Sequence, residues 1–356
     1  MSRHVGAKAL TADYDRWLAR QITVVRADVA RKHAELRADR FRFLRGTYYL
    51  WLARVVERVP EVLGTARVPL VGDLHVENFG TWRDQRQVRR WGVNDLDELG
   101  TGPWLLDLLR LAVSVTQAPH IALDDATACD TLLRAYATTP VGADVALANP
   151  RAEHLRALVP PFASPDTYYD GLAGGHPEAD LPAEVVAAAE AVAEPGWRPT
   201  WHAHEAGTGS LGHRRRAGVG PAADGTRHAR EAKQLGPGTL AWAAPLDARL
   251  PQPDDGLYAR VLAAVKGPAA ATRVLDWQVR DLAPDIVRIE LSGLRPKDAE
   301  LLLGSMARAA ADVHAADEDA WKAARTEALG LDRAHFRRLV ATMAEVVKAD
   351  FRAYGD

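Results

Sequence analysis

The sequence predicts an α+β fold in which a helical region and a smaller β-rich region each have their own core. Helical spacing of apolar residues marks most of residues 1–195 and 296–356, whereas residues 196–295 contain short strand-like runs separated by Gly and Pro turns. We therefore expect a helical region (1–195), a β-rich region (196–295) and C-terminal helices (296–356) that return to the helical region. At 356 residues the chain is long enough for two cores.

Composition argues against several classes of partner. The formal net charge of −2 gives no overall attraction to nucleic acid or anionic lipid. The single cysteine, Cys129, excludes an intrachain disulfide and is typical of a reducing compartment. The sequence has no signal-peptide core and no apolar run of membrane-spanning length. We expect a cytoplasmic protein without a nucleic-acid or membrane partner, and the oligomeric state stays open.

Apolar stripes at helical spacing predict the individual helices. Residues 11–60 are helical in pattern, and their strongest stripe, from Tyr48 to Val59, stops at Pro60. The last stripe, from Phe336 to Phe351, has core-facing spacing. The other predicted helices are 104–115, 121–137, 180–194, 257–265 and 302–313.

A polar loop between two short strands carries most of the candidate chemistry. An apolar strand ends just before Asp73, which places a carboxylate at its end. Residues Phe79–Arg90 predict a hairpin with a polar turn. Such a hairpin would bring Asn78 beside Asp95, so that two acids and an amide oxygen converge on one spot.

This set of oxygen donors is typical of a Mg²⁺ site, because Mg²⁺ prefers one or two carboxylates together with substrate phosphates. The interval from Asp73 to Asn78 is also the spacing of the kinase catalytic loop, in which the Asp accepts the hydroxyl proton and the Asn holds a metal. Nearby, Asp97 is either a further metal ligand or a solvated turn acid. His75 is either a hydrogen-bonding brace or a group that transfers a proton.

A second polar stretch lies in the β-rich region. Gly207, Gly209 and Gly212 form a Gly-x-Gly-x-x-Gly run, and Lys233 lies near the end of the later strand 227–235. A Rossmann loop would need an apolar strand before the run and a helix after it, and a Walker A loop would need Gly-Lys-Ser/Thr. The sequence instead has a strand, the glycine loop, a second strand, a turn and a third strand that carries the lysine. This is the order of elements in the phosphate-covering part of a kinase.

These motifs resemble those of a large uncharacterised bacterial family. Residues 72–78, 94–97 and 102–112 look like its GDxHxxN, D-x-D and GP-x-x-x-DLxRLA series, and residues 41–46 look like its Phe-x-Phe-x-Arg-Gly segment. That family is similar to aminoglycoside phosphotransferases and other kinase-like small-molecule kinases. The resemblance covers roughly residues 40–115 and 200–315.

The resemblance implies a role for each candidate residue. Asp73 would be the catalytic base with His75 beside it, and Asp107 would brace the catalytic loop through backbone N–H groups. Mg²⁺ would be held by three side chains: Asn78, Asp95 and Asp97. The phosphates of ATP would be bound by five residues: Gly207, Gly209, Ser210, Gly212 and Lys233.

The order of the two sites differs from that of ordinary kinases, because Lys233 lies far downstream of Asp73. We therefore expect a protein-kinase-like two-lobe fold that is circularly permuted, and permutation is tolerated where chain termini lie close together. Residues near 75 should then face residues 210–233 across one cleft. Predicted strands at 273–280 and 285–291 resemble the last strands of a nucleotide lobe, whose edge would contact adenine through its backbone.

The sequence departs from the kinase pattern in the partner of the lysine. The predicted helix Leu257–Val265, which follows the lysine strand, contains no Glu. Asp254, Asp255 or Glu231 would have to substitute for it.

Three weaker candidates each have a structural alternative. His202 and His204, with Glu205, have a strand spacing that can bind a metal, but exposed strand residues have the same pattern. The run His213–Arg216 either meets an acidic substrate or phosphate, or forms a solvated strand face. Arg45 either contacts a phosphate or a carboxylate of the catalytic loop, or is a surface arginine.

The resulting hypothesis is an ATP- and Mg²⁺-dependent phosphotransferase that acts on a hydroxyl of a small molecule or peptide. One alternative is a catalytically inert, nucleotide-binding pseudokinase that acts as a partner protein in a biosynthetic pathway. Another is a kinase-like enzyme that performs nucleotidyl transfer or ATP-driven cyclisation or dehydration. The sequence does not identify the acceptor.

Overall fold

The computed structural model describes residues 5–138, 140, 146–178, 180–204 and 212–355 of the chain. Helices dominate these residues, and the strands form two antiparallel pairs and one five-stranded sheet. The protein is therefore α+β, as the sequence predicts.

Four helices precede the polar loop. They are α1 (Ala7–Gln21), α2 (Arg26–Ala38), α3 (Arg40–Gly46) and α4 (Tyr48–Arg58). The side chain of Asp39 caps α3 by accepting a hydrogen bond from the backbone N–H of Arg42 (2.7 Å). Helix α4 ends just before Pro60, as predicted, and a short 3₁₀ turn, Pro60–Gly64, leads to the first strand.

The polar loop lies within two small antiparallel strand pairs. The strands are β1 (Arg67–Leu70), β2 (Phe79–Arg83), β3 (Arg89–Val93) and β4 (Gly100–Pro103). Strand β1 pairs with β4, and β2 pairs with β3. Asp84 closes the β2–β3 turn by accepting hydrogen bonds from the N–H groups of Arg86 (2.8 Å) and Val88 (3.0 Å). The predicted hairpin is therefore confirmed.

Five further helices complete the helical core. They are α5 (Leu105–Gln117), α6 (Asp125–Thr138), α12 (Pro296–His314), α13 (Glu318–Gly330) and α14 (Arg333–Gly355). Helices α12 and α14 both pack against α5 and α6, so the C-terminal helices share one core with the helices that flank the polar loop.

Polar contacts fix the C-terminal helices on this core. The carboxylate of Glu327 accepts hydrogen bonds from the indole N–H of Trp104 (2.8 Å) and the backbone N–H of Ala66 (2.9 Å). Arg54, which is buried in α4, donates to both carboxylate oxygens of Asp350 in α14 (2.8 and 3.0 Å). A buried bidentate pair of this kind sets the register between two helices.

The β-rich region is a five-stranded antiparallel sheet in the order β5-β6-β7-β9-β8. Its strands are β5 (Thr200–Ala203), β6 (Arg215–Pro221), β7 (Arg227–Gln234), β8 (Thr272–Val274) and β9 (Trp277–Leu282). Helices α10 (Gly238–Ala243) and α11 (Leu257–Val265) lie between β7 and β8 in the sequence, and α11 has the predicted bounds.

Three short helices connect the two regions: α7 (Glu153–Leu158), α8 (Pro165–Ala173) and α9 (Ala183–Ala191). Helix α9 begins directly after Pro182 and is shorter than predicted. Helix α8 packs on the sheet face that carries Ala229, and α9 packs on the face that carries Ala232. Both helices therefore cover the sheet, although the sequence boundary at 195 grouped them with the helical region.

Two of the predicted strands are wrong. Residues 273–280 contain a reversal at Leu275, whose φ of 53° is left-handed, so they divide between β8 and β9. Residues 285–291 form no strand. They contact the β2–β3 hairpin through one isolated bridge, Gly80 to Arg288, and the N–H of Thr81 donates to the carbonyl of Val287 (2.9 Å).

None of the helices in the described ranges combines the length and apolar character that a membrane crossing requires.

Candidate active site

A cavity of about 240 Å³ lies between the polar loop and one face of the sheet. Its helical-region wall includes Arg45, Asp73, His75, Asn78, Asp95, Asp97 and Glu98. Its sheet wall includes His204, His213, Arg215, Glu231, Lys233 and Arg280. The prediction that residues near 75 face residues 210–233 across one cleft is therefore confirmed for the described part of that stretch, which includes His213, Arg215 and Lys233.

The beginning of the polar loop is fixed by Asp107 of α5. Its carboxylate, which is fully buried, accepts hydrogen bonds from the backbone N–H groups of Val71 (2.7 Å) and Gly72 (3.0 Å). Gly72 has a left-handed φ of 92°, and a Cβ there would lie 2.2 Å from the carbonyl oxygen of Glu98. The predicted brace is confirmed, and it holds the loop where only glycine fits.

A buried histidine extends this brace, and the sequence analysis did not find it. His314 Nε2 lies 3.0 Å from Asp107 Oδ2, and His314 Nδ1 lies 2.6 Å from the hydroxyl of Tyr136. Because the carboxylate accepts, Nε2 carries the proton and the tyrosine hydroxyl donates to Nδ1. The available signal was a histidine directly after the predicted helix 302–313, at the end of an apolar stripe.

Asp73 lies just beyond this brace and is held by Arg110, which the sequence analysis also missed. Arg110 Nε donates to Asp73 Oδ1 (2.7 Å), and Arg110 Nη2 contacts the same oxygen. The guanidinium is fully buried and lies over the rings of Tyr48 (4.9 Å) and Trp51 (5.2 Å). Arg110 belongs to the motif at 102–112, so its position one helical turn after Asp107 was a usable signal.

The environment of Asp73 favours a base that works near neutral pH. Burial raises the pKa of its carboxyl to about 6, although the charge and hydrogen bonds of Arg110 oppose the rise. The side chain keeps 22 % of its surface exposed, on the cavity side. A carboxylate with this pKa can accept a proton at physiological pH.

His75 and Asn78 shape the loop. The amide oxygen of Asn78 accepts a hydrogen bond from the backbone N–H of His75 (2.6 Å), and His75 Nδ1 accepts one from the N–H of Glu77 (3.2 Å). Burial, with the nearby charge of Arg45, holds the pKa of His75 well below its usual value. A neutral, hydrogen-bonded imidazole favours the brace interpretation of His75 over proton transfer.

The hairpin brings Asp95 to the same end of the loop as Asn78. The N–H of Asn94 donates to the carbonyl of Asn78 (2.9 Å), and Phe79 pairs with Val93 in the register of the strands. Burial would raise the pKa of Asp95, but the positive charges of Lys233 and Arg280 outweigh it and lower the pKa. Asp95 is therefore ionised at neutral pH.

Lys233 crosses the cleft from the sheet. Its ammonium group contacts the carboxylate of Asp97, and its side chain is almost fully buried. Burial lowers its pKa to about 8, against the opposing effect of Asp95. The expectation that Asp254, Asp255 or Glu231 would pair with the lysine is wrong, because the chain turns after Asp95 and presents Asp97 to the sheet.

Glu231 instead forms its own ion cluster on the sheet. It accepts hydrogen bonds from Arg215 Nη1 (2.8 Å) and Arg280 Nε (2.6 Å), and these charges lower its pKa despite burial. Arg215 is buried and lines the cavity. The interpretation of His213–Arg216 as a solvated strand face is therefore wrong for Arg215, since strand alternation turns it to the same face as Lys233.

Glu98 is another acid of the cavity that the sequence analysis missed. It accepts hydrogen bonds from the backbone N–H (2.9 Å) and the hydroxyl (2.6 Å) of Thr239. Burial raises its pKa to about 7. Glu98 directly follows Asp97 in the sequence, and the sequence analysis assigned it no role.

Most of the predicted glycine loop cannot be placed. Gly207, Gly209 and Ser210 lie outside the described residues. Gly212 is described, has a left-handed φ of 99°, and accepts a hydrogen bond through its carbonyl from the N–H of Val25 (3.0 Å). That contact ties the end of the loop to the start of α2.

The described residues contain no group of three or more His, Cys, Asp or Glu side chains arranged to hold a metal ion. His202 Nδ1 contacts the carbonyl of Gly175 (2.9 Å), and His204 Nε2 lies 3.6 Å from Glu231. These contacts favour a structural role for both histidines, but the expectation of exposed strand residues is wrong for His202, which is buried. A Mg²⁺ ion that completes its shell with substrate phosphates needs fewer protein ligands than such a group provides.

The fold and the site together define the class of this protein. It is an α+β protein with a polar cleft between a helical core and a five-stranded sheet. Residues 24–139 match the model of a family described as "Uncharacterized protein conserved in bacteria (DUF2252)". The match covers less than half of the chain and includes Asp73, Asn78, Asp95, Asp107 and Arg110. It supports the resemblance of these motifs to an uncharacterised bacterial family. Neither a curated protein nor a solved structure matches the chain.

Proposed function

We propose that this chain is a nucleotide- and Mg²⁺-dependent phosphotransferase with a kinase-like, circularly permuted arrangement. The observation that carries the proposal is the position of Lys233, which reaches across the cleft to Asp97, in a cavity also lined by Asp73, Asn78 and Asp95. In kinases, a lysine from the sheet and an Asp and Asn from the catalytic loop meet in the same way at the transferred phosphoryl group.

The order of the sheet supports the proposal. Lys233 lies on β7, the third strand of the sheet along the chain, and helix α11 separates this strand from β8. In protein kinases the phosphate lysine is likewise on the third strand and is followed by a helix. In this chain the acid that contacts the lysine comes from the loop that carries Asp95, and not from that helix.

The donor set fits Mg²⁺ bound with phosphates. Asp95 is ionised, and the amide oxygen of Asn78 has a second lone pair besides the one used by His75. Asp95 and Asn78 would hold the ion, with Asp97 assisting. When bound, Mg²⁺ would neutralise charge on the nucleotide phosphates.

The remaining residues have roles that follow from their contacts. Both contacts of Arg110 go to Oδ1 of Asp73, so Oδ2 is the oxygen that would accept the proton of the acceptor hydroxyl. Lys233 would exchange Asp97 for a phosphate oxygen and stabilise the transferred group.

A second cavity provides room for the base of the nucleotide. It has a volume of about 550 Å³ and shares Leu282, at the end of β9, with the polar cavity. Its walls include Phe162, Tyr169 and the linker 283–286, which connects the sheet to the helical region. A cavity that combines aromatic and polar walls beside the backbone that leaves the end of β9 suits a purine ring.

One observation favours the inert alternative. Helix α11 offers no acid to Lys233, and the lysine is instead paired with one of the proposed metal ligands. A nucleotide-binding partner protein could retain this arrangement without turnover. Nucleotidyl transfer and ATP-driven cyclisation or dehydration would use the same residues with another acceptor chemistry.

Mg-ATP binding tests the proposal before the acceptor is known. We expect Mg-ATP to raise the melting temperature of the wild type and of Asp73→Asn. Asp95→Asn and Lys233→Met should lose most of this shift, whereas the control Asp255→Asn, at an exposed position, should keep it. A wild-type protein that Mg-ATP does not stabilise would contradict the proposal. Mass analysis of a cell extract incubated with the protein and Mg-ATP separates the alternatives. A product heavier by one phosphoryl group indicates phosphotransfer, one heavier by a nucleotide indicates nucleotidyl transfer, and one lighter by a water indicates cyclisation or dehydration. No change in mass indicates the inert alternative.

A further inference from the structure

An apolar cavity of about 160 Å³ lies beside the polar loop, against Val76 and Glu77. Its walls include Phe41, Val76, Ile121, Ile289 and Leu291. Val76 is part of the loop between Asp73 and Asn78, so the cavity adjoins the proposed base. Neither the motifs nor the proposed phosphotransfer assigns this space a role.

Arg288 joins the two cavities, because it lines both the apolar cavity and the polar cavity that contains Asp73. It forms an ion pair with Glu77 (3.1 Å), and Glu77 also pairs with Arg45 (2.6 Å). The predicted contact of Arg45 with a carboxylate of the catalytic loop is therefore confirmed. These three residues form the rim between the cavities.

The rim itself has two guanidinium groups and one carboxylate, although the charges of Asp73 and Asp95 in the polar cavity also act on Arg45. Two guanidinium groups share the single carboxylate of Glu77, and the buried Nε of Arg45 has no hydrogen-bond partner among the described residues. The Arg45 side chain is only 13 % exposed, so its charge is poorly screened. Glu290 also lines the apolar cavity, but it is exposed, and water screens its charge.

We infer that this rim and cavity bind the acceptor, and that the acceptor is a hydroxyl-bearing carboxylate with an apolar substituent. The inference rests on the proposed phosphotransferase function. The hydroxyl lies at Asp73, the carboxylate at Arg45 and Arg288, and the apolar group in the cavity lined by Ile121 and Ile289. Guanidinium groups bind carboxylates through paired hydrogen bonds, and burying the apolar group adds affinity.

The size of the cavity limits the apolar group. A volume of about 160 Å³ suits a group such as the side chain of leucine or phenylalanine, rather than a fused ring system. The rim separates this group from the polar cavity, so the hydroxyl and the apolar group lie on opposite sides of the guanidinium groups that bind the carboxylate. In an aryl- or alkyl-substituted 2-hydroxy acid the hydroxyl, the carboxylate and the arm that carries the apolar group branch from one carbon, so each can reach its own part of the site.

A matched set of probes tests the inference without nucleotide. The probes are phenyllactate, its primary amide, which lacks the charge, and lactate, which lacks the ring. We expect phenyllactate to bind at least about tenfold more tightly than either, as measured by calorimetry or ligand-observed NMR at neutral pH. Equal affinities, or no binding of phenyllactate, would overturn the inference.

Two variants assign the parts of the site. Arg288→Gln should reduce phenyllactate affinity to that of the amide, and Ile121→Trp, which fills the cavity, should reduce it to that of lactate. Both residues are at least partly exposed, so the folded core is retained, and circular dichroism checks this. The controls are Arg260→Gln, on a similarly exposed ion-paired arginine, and Leu329→Trp, on the exposed surface of α13. Neither control should change binding.

Mg-ADP titration of the same variants separates this inference from the proposed function. If Arg288→Gln weakens Mg-ADP binding and leaves phenyllactate binding unchanged, the rim binds nucleotide and the inference is wrong. Mg-ATP stabilisation without any preference among the three probes would overturn the acceptor site alone. Selective phenyllactate binding without Mg-ATP stabilisation would support the site and contradict phosphotransfer.

Discussion

Lys233 and Asp97 contact each other across the cleft, although one belongs to the sheet and the other to the loop after the hairpin. The contact pairs the charge of a buried lysine with that of a partly buried carboxylate. In the proposed function, a phosphate that bound Lys233 would release Asp97 beside Asp95, where the metal ion would be held. Phosphate binding and metal binding would then be coupled through this ion pair.

The pH dependence of turnover should be bell-shaped. Asp73 must be ionised to accept a proton, so activity rises with pH through its pKa of about 6. Lys233 must be protonated to hold a phosphate, so activity falls as pH rises through its pKa of about 8. Measurement of kcat/KM against pH should show both limbs, because that ratio reports the free enzyme. A profile that stays flat from pH 5 to 9 would exclude both assignments.

Arg110→Gln should move the acid limb of this profile. The charge and hydrogen bonds of Arg110 lower the pKa of Asp73, so their removal raises it, and the limb should shift upward by about one pH unit or more. Arg110→Lys keeps the charge and should shift the limb less. A loss of activity in Arg110→Gln at every pH, with the limb unmoved, would mean that Arg110 affects only the structure of the loop.

Asp73→Asn and Asp95→Asn should have different kinetic effects. Asp73→Asn removes the base and should lower kcat by about 10²- to 10⁴-fold, with little change in Mg-ATP affinity. Asp95→Asn removes an ionised ligand and should weaken Mg-ATP binding itself. Single-turnover rates and nucleotide titrations separate the two effects. If Asp73→Asn retains full turnover, another residue is the base.

Asp107→Ala should destabilise the fold as well as the site. It would leave the N–H groups of Val71 and Gly72 and the ring of His314 without their buried acceptor. Loss of one partner from such a buried charged network costs about 3–5 kcal/mol. Urea unfolding should show this loss, and the control Asp255→Ala, at an exposed acid, should change stability by less than about 0.5 kcal/mol.

Local patterns in the sequence were sufficient for much of the fold. The stripe that ends at Pro60, the hairpin between Asn78 and Asp95, helix α11 and the brace at Asp107 all follow from short-range spacing, turn residues or a motif. The reversal at Leu275 was missed because no Gly, Pro or Asn marks it. The segment 285–291 has strand-like composition, but its backbone meets only one neighbouring strand.

The contacts that complete the site could not be predicted in the same way. Arg110 binds Asp73, His314 binds Asp107, and Asp97 meets Lys233 because distant segments pack together. No local pattern distinguishes Asp97 from Asp254 as the partner of a lysine far along the chain. The glycine run at 207–210 lies outside the described residues, so its phosphate-binding role stays a prediction.

The return of α12 to the helical core has a consequence for synthesis on the ribosome. Asp107 emerges early, but His314, which shares its buried carboxylate, emerges only after the whole sheet has been made. Glu327 and Asp350, which bind Trp104 and Arg54, emerge later still. The core of the nascent helical region therefore stays incomplete until the sheet has been synthesised. A fragment that stops before Pro296 should require a chaperone to remain in solution.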